Sequence, residues 1–288
     1  MRRTLFLRYL TCSMLCLGAL LASPAPAGAR TITVDGVSTD WTGAIAPTEN
    51  LGHLTRDAQH RGEYVWRDRV GDQRTDLPPA TDVDLTEFRV TGDANNIYFL
   101  AKFFSASVVS GNNAPQVQIA IDPDRVASSG QEFFGEFGDT RVAGDAWWEH
   151  LVVTRFGSAS GPSANVRVYD ASWVADDLVG AAFLGAGTFS MEIAVPWSSL
   201  GFAAGPPSVP LRFTVAVFRS DASDVTIDVD GTGASDALDA VTNYGNPGFF
   251  VNTWNEVSDG IVNYRWDLYF DCDGDVYSPL VISEILID

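Results

Sequence analysis

Cysteine is scarce in this sequence. Three occur in 288 residues, Cys12, Cys16 and Cys272, and the first two belong to an N-terminal leader. Beyond that leader Cys272 stands alone, so no disulfide closes within the chain. The fold must be held by its apolar core, with metal as the remaining aid. Bases are scarce too. Arg2, Arg3 and Arg8 precede residue 30 and every acid follows it, so the chain beyond residue 29 carries 15 bases against 37 acids, a net charge near −22. Such a charge argues against nucleic acid and anionic membrane surfaces as partners. It fits an extracellular protein that holds cations, and solubility is the other use of the same acids. No segment after residue 29 is long and apolar enough to span a membrane, and no long stretch repeats with helical period. Of the three histidines, His53 and His60 lie in an irregular stretch and His150 in a strand, none beside a Gly-x-Ser-x-Gly nucleophile. No spacing singles out two carboxylates for glycoside hydrolysis. The expectation is a non-catalytic chain.

What is present reads as β-structure. Met1–Ala29 has a basic start, an apolar run from about Leu10 to Leu21 and the small-residue site Ala27-Gly28-Ala29. That pattern is a secretory signal peptide, and it places the chain outside the cell or at the cell surface. Apolar residues make up 46% and aromatics 11%, with eight Trp, which suits a sandwich or barrel more than a helical fold.

The chain is organised around 82–103. Asp82 and Asp84 open it. Phe88 and Val90 then alternate with Glu87, Arg89 and Thr91, and Gly92 to Asn96 supplies turn chemistry. Ile97, Phe99, Ala101 and Phe103 share one face of the returning strand. This is a β-hairpin with one buried face and an acidic knot at its start. Further strands are expected at 31–34, around Val117–Ile121, Trp147–Phe156, Val166–Tyr169, Phe189–Val195, Arg212–Phe218 and Tyr264–Phe270. Residues 42–79 read as irregular, and Asp221–Asp239 as a solvated loop. The fold class is all-β, a two-sheet antiparallel sandwich of jelly-roll type over 30–275. Phe88, Val90, Ile97, Phe99, Ile119, Ile193, Val195, Phe213 and Val215 are expected in its core. Residues 276–288 read as a linker and either a strand added to the sandwich edge or the first strand of a following, truncated domain; the second reading makes the chain part of a longer multidomain protein.

Two kinds of site are legible. Asp68, Asp72, Asp82 and Asp84 are candidate calcium ligands, since a Gly turn and a hairpin start bring carboxylates together and calcium takes about six to eight oxygens. Asp122 and Asp124 form a second candidate. Asp271–Asp275 departs from the D-x-[DN]-x-[DN]-G spacing and has no Glu at its twelfth position; Asp228–Gly231 is equally thin. For carbohydrate, a flat aromatic face beside polar groups is needed. Trp66, Trp148, Trp173 and Trp254 are the candidates, with packed edge residues as the alternative role, while Trp41 and Trp197 are expected in the core. Met191 alternates with Phe189, Ile193 and Val195 and reads as core filler.

Several segments carry a resemblance. Val34-Asp35-Gly36 with Asp40-Trp41 resembles the "DG…DW" opening of family 9 carbohydrate-binding-module-like domains, within the wider DOMON-like fold. Glu192 to Gly201 is similar to the "E-x-x-IPW-x-x-LG" element of that group, with Val195 in place of Ile, and Asp93 to Tyr98 to its "D..NLYF" hairpin. Asp68-x-x-Gly71-Asp72 followed by Asp84-Leu85-x-x-Phe88 resembles the C-terminal surface-binding domain of glucodextranases. The likeness runs in patches from about residue 32 to 270, and the tail from Leu280 resembles the start of a lamin-tail-like domain. The resemblance implies a β-sandwich that binds polysaccharide or a cell-surface glycan, often with calcium. The alternatives are a haem-binding electron-transfer domain, which in some DOMON-like sandwiches uses a Met, and a ligand-free spacer.

Overall fold

The computed structural model describes residues 30–74, 83–105, 108, 110–135, 139–158, 164–227, 236–242 and 259–278. The signal peptide, Asp82, Asp228–Gly231, Trp254 and the tail beyond Ser278 lie outside the described residues. In chain order the strands are β1 (His53–Arg56), β2 (Gly62–Arg67), β3 (Leu85–Gly92), β4 (Asn96–Phe103), β5 (Ala114–Asp122), β6 (Arg141–Val142), β7 (His150–Thr154), β8 (Val166–Asp170), β9 (Ala175–Leu178), β10 (Ala182–Leu184), β11 (Ser190–Pro196), β12 (Leu211–Ser220), β13 (Asp239–Ala240), β14 (Ile261–Val262), β15 (Trp266–Phe270) and β16 (Val276–Tyr277). The first sheet has the order β1-β2-β3-β4-β11-β10. The second runs β16-β15-β12-β5-β7-β8-β9, with β13 added alongside β12. Both are antiparallel throughout, and β6 and β14 form a small parallel pair outside them.

Period-two alternation decides which way each strand faces. In the central hairpin Val90 stands opposite Phe99 and Phe88 opposite Ala101, so one face of both strands is apolar. In the other sheet Val215 stands opposite Ile119 and Phe213 opposite Ile121. The two faces close on each other through rings: Phe99 meets Phe213 edge-on at 6.2 Å, and Tyr64 stacks on Trp266 at 5.2 Å. All nine expected core residues are buried between the sheets, and Met191 packs with them. The architecture is an all-β sandwich.

The outer faces are covered as well. Over the second sheet, Phe134, Trp148 and Val262 close on Leu151, Val153 and Phe218. Over the first sheet lies the segment from Arg30 to Ala46, with Ile32 and Trp41 on Tyr98 and Leu100. Beside them is a buried ionic row. Arg89 bonds to Glu63 at 2.6 Å and Glu87 at 2.8 Å, Lys102 reaches Glu87 at 2.7 Å, and Arg30 bonds to Glu63.

Several sequence expectations need correcting. Residues 31–34 form no strand: the Thr33 N–H donates to the Asp40 carboxylate instead of to a neighbouring strand. The stretch read as irregular holds β1 and β2. The strands β9 and β10, unmarked in the sequence reading, are short and lie at sheet edges. The sandwich also reaches past residue 275, because β16 pairs with β15 and Val276 is buried. A side chain on Gly62 would collide with the Val276 carbonyl, so β16 crosses closely over β2.

The segments that carry the resemblance serve the framework. Glu192 on β11 is fully buried, and its carboxylate accepts the Asp35 and Gly36 N–H groups at 3.0 and 2.8 Å and the Trp41 indole N–H at 2.8 Å. One acid thus joins the "DG…DW" segment to the strand before Pro196. In the hairpin turn, Asp93 accepts the Asn95 and Asn96 N–H groups and the Tyr98 hydroxyl, while its carbonyl accepts the Trp197 indole.

Candidate metal centre

The loop after β2 is drawn to the start of β3 by its backbone. The Asp68 N–H donates to the Thr86 carbonyl at 3.0 Å, and the Gly71 N–H, in a left-handed turn, donates to Asp84 Oδ2 at 2.9 Å. Three residues on, the Arg74 N–H donates to the Leu238 carbonyl at 2.8 Å. That bond sets the loop beside β13, where Asp239 stands opposite Val217. Asp239 bridges the two sheets: Oδ2 accepts the Leu85 N–H at 2.6 Å and Oδ1 the Ala240 N–H at 2.8 Å.

These bonds bring Asp68, Asp72 and Asp239 together and set Asp84 beside Asp68. Asp68, Asp72, Asp84 and Asp239 are all buried, with at most 6% exposure. Oxygens of Asp68, Asp72 and Asp239 lie within 4.8 Å of one another. Asp68 Oδ1 accepts the Arg69 N–H at 2.7 Å, but its Oδ2 and Asp84 Oδ1 are shut from solvent without a hydrogen bond. The electrostatics follow. Burial, then the Asp239 and Asp72 charges, and to a lesser degree Asp84, push the Asp68 carboxyl well above its usual range against the pull of the Arg69 N–H. Burial likewise raises Asp84, opposed by the Gly71 N–H. A buried carboxylate oxygen without a donor is costly, and a divalent cation at the centre would supply what both oxygens lack. The donors are all hard oxygens, the set that calcium takes. Oxygens on opposite sides of an ion bound at about 2.4 Å would lie about 4.8 Å apart, and the oxygens of Asp68, Asp72 and Asp239 come within that reach.

The structure thus brings Asp68, Asp72 and Asp84 together, and adds Asp239. The sequence reading missed Asp239 inside a stretch taken for solvated loop. Its signal was Ala237-Leu238-Asp239-Ala240-Val241, an acid flanked by apolar residues, and Asp236 nearby is buried too. Asp122 and Asp124 come together elsewhere, with Glu149. Asp271 is a turn residue whose Oδ1 accepts the Asp273 and Asp275 N–H groups.

The aromatic candidates fare differently. Trp66 is fully buried on β2 and its indole donates to the Thr242 carbonyl at 2.8 Å. Trp148 is fully buried and donates to the Phe133 carbonyl. Neither offers a face to a sugar ring, because each lies in a core whose other side was not visible from strand alternation alone. Trp173 is 38% exposed, in the turn between β8 and β9, held edge-on by Trp148 at 5.2 Å and Tyr169 at 5.3 Å. Among the described residues no helix is long and apolar enough to cross a membrane. The sequence matches no protein-family model and no curated protein.

Proposed function

We propose that the chain is a secreted, non-catalytic β-sandwich module of a longer protein, held in shape by calcium and binding carbohydrate or a cell-surface glycan. The observation that carries the calcium reading is the buried convergence of Asp68, Asp72 and Asp239, with Asp84 beside Asp68 and one oxygen of each of these two lacking a donor. A solvated acidic turn would not bury these groups, and acids placed only for solubility would not converge. The glycan reading rests on Trp173, whose ring is fixed at its edges by neighbours while part of its surface meets solvent. A pre-oriented aromatic loses little entropy on stacking against a sugar ring.

Affinity electrophoresis of the mature protein through gels containing soluble polysaccharides tests the glycan half. Retardation by at least one polysaccharide, abolished in Trp173→Ala while the melting temperature holds, is the expected result. Migration unaffected by any polysaccharide favours a ligand-free spacer. A Soret band in the purified protein would point instead to haem.

A further inference from the structure

We propose that Asp122, Asp124 and Glu149 form a second divalent-cation site, independent of the first, open to solvent on one side and suited to calcium. Asp122 ends β5 and Glu149 directly precedes β7. The Glu149 N–H donates to the Ile121 carbonyl at 3.2 Å, so the two acids sit on adjacent, paired positions of one sheet. Asp124 joins them from the loop 122–131. That loop is tightly wound: Arg125, Ser128 and Gly130 all have left-handed backbones. A side chain on Gly130 would fall 2.3 Å from the Trp148 carbonyl and 2.9 Å from Glu149 Oε1. The loop is therefore folded down onto Glu149.

Oxygens of the three carboxylates lie within 4.8 Å of one another. The second observation is what their oxygens lack. Asp122 is 1% exposed; its Oδ1 accepts the Arg125 N–H, and its Oδ2 has no partner. Both oxygens of Glu149 are shut from solvent without a hydrogen bond of good geometry; the Ser129 hydroxyl, close enough to pull the Glu149 carboxyl down, is spent on Asp124. Asp124 accepts the Val126 N–H and the Ser129 hydroxyl, which orient it toward the others. No ion pair among the described residues neutralises any of the three. The nearest cation to act on Asp122, Arg212, is committed to Asp267 and the Asp145 carbonyl. The charges strain against each other as a result. Glu149 is pushed up to about 7, by burial and then by Asp124 and Asp122, and Asp122 to about 6, by burial first. A bound cation reverses that repulsion, and three carboxylates of hard oxygen are calcium chemistry.

This site differs from the first in access. Asp68, Asp72 and Asp239 are all buried, whereas here Asp124 is exposed and Glu149 half-buried. The ion would keep positions for water or for a ligand's hydroxyl oxygens. The two sites lie five residues apart along β12. Asp122 stands opposite Arg212 and Asp239 opposite Val217, about 17 Å apart at the rise of a strand. Loss of one should leave the other intact. The second site also lies close to the exposed aromatic, since Gln131, at the end of its loop, donates to the Ala171 carbonyl at 2.8 Å, two residues before Trp173.

Calorimetric titration of calcium into the metal-stripped mature protein tests this, using the parent, Asp124→Asn, Glu149→Gln and Asp72→Asn. Asp124 is exposed, so its variant is expected to fold. The expected result is that Asp124→Asn and Glu149→Gln each bind one calcium fewer than the parent, or bind it at least tenfold more weakly, while Asp72→Asn keeps that class of binding. The proposal is overturned if both variants match the parent in stoichiometry and affinity, whatever Asp72→Asn does. It is also overturned if the calcium they lose is the one that Asp72→Asn loses.

Discussion

At the scale of single residues, buried acids in this protein fall into two kinds, and hydrogen-bond donors separate them. Glu192 has donors for both oxygens: two backbone N–H groups and one indole. It is a lock, and burial raises its carboxyl only against the pull of the Asp35, Trp41 and Gly36 donors. Asp68 and Asp84 each keep an oxygen that no donor reaches. Glu192→Ala should therefore cost about 3 kcal/mol, because three buried donors lose their acceptor at once. Glu192→Gln should recover part of that loss, and chemical denaturation of the three proteins measures it. A cost within about 0.5 kcal/mol for the alanine variant would mean the Arg30–Ala46 segment is not held by this acid. Spacing in the sequence marked Asp68, Asp72 and Asp84, because a Gly turn and a strand start are local signals. Asp239 and Glu149 were hidden, since each reaches its cluster by strand pairing across long sequence separation. Trp66 and Trp148 were misjudged for a related reason: a strand's alternation tells two faces apart but not whether loops cover the outer one.

At the scale of elements, the pairing of β3 with β4 was legible, but not the burial of both its faces or the irregularity between Leu85 and Glu87. Its inner face is apolar at every second position and its turn holds Gly, Asp and Asn. β2 was not legible, because Glu63 and Arg67 bracket its apolar residues and sequence gives no sign that Glu63 is buried. The reason is the ionic row on the outer face of the first sheet, where charges substitute for an apolar layer. That row has a consequence for acid stability. Burial alone would raise the Glu87 carboxyl, yet Arg89 and Lys102 hold it below its usual value of 4.5. A carboxyl whose folded value lies below its unfolded one gives stability that is complete above the unfolded value and lost as pH falls through the folded one. Stability should therefore decline as pH drops below about 4.5, and the decline should be shallower in Glu87→Gln. Equal slopes for parent and variant in denaturation series over that range would show that the row contributes nothing to acid unfolding.

For the whole molecule, the two facts to reconcile are a charge near −22 beyond the leader and four carboxylates packed where the two sheets meet. A charge of that size repels itself and works against a compact state. Burying part of it without a counter-ion adds the cost of desolvation. A cation bound only by the folded chain relieves both and stabilises it by RT ln(1 + [L]/Kd), about 2.7 kcal/mol when calcium stands at a hundredfold excess over Kd. The sandwich supplies the geometry, because Asp239 ties β13 of one sheet to Leu85 of the other.

The most direct test is the melting temperature of the mature protein in chelator, in calcium, and in sodium at matched ionic strength, for the parent, Asp84→Ala and Asp176→Ala. Asp176 is exposed on β9 and serves as the control. The account predicts that chelation lowers the parent's melting temperature by about 5–10 °C. Calcium restores it and sodium does not. Asp84→Ala loses the buried centre's share of the response and keeps only what the outer site contributes, and Asp176→Ala keeps it all. A parent indifferent to chelation, a recovery in sodium as full as in calcium, or an Asp84→Ala response equal to the parent's would contradict a calcium centre in the buried cluster.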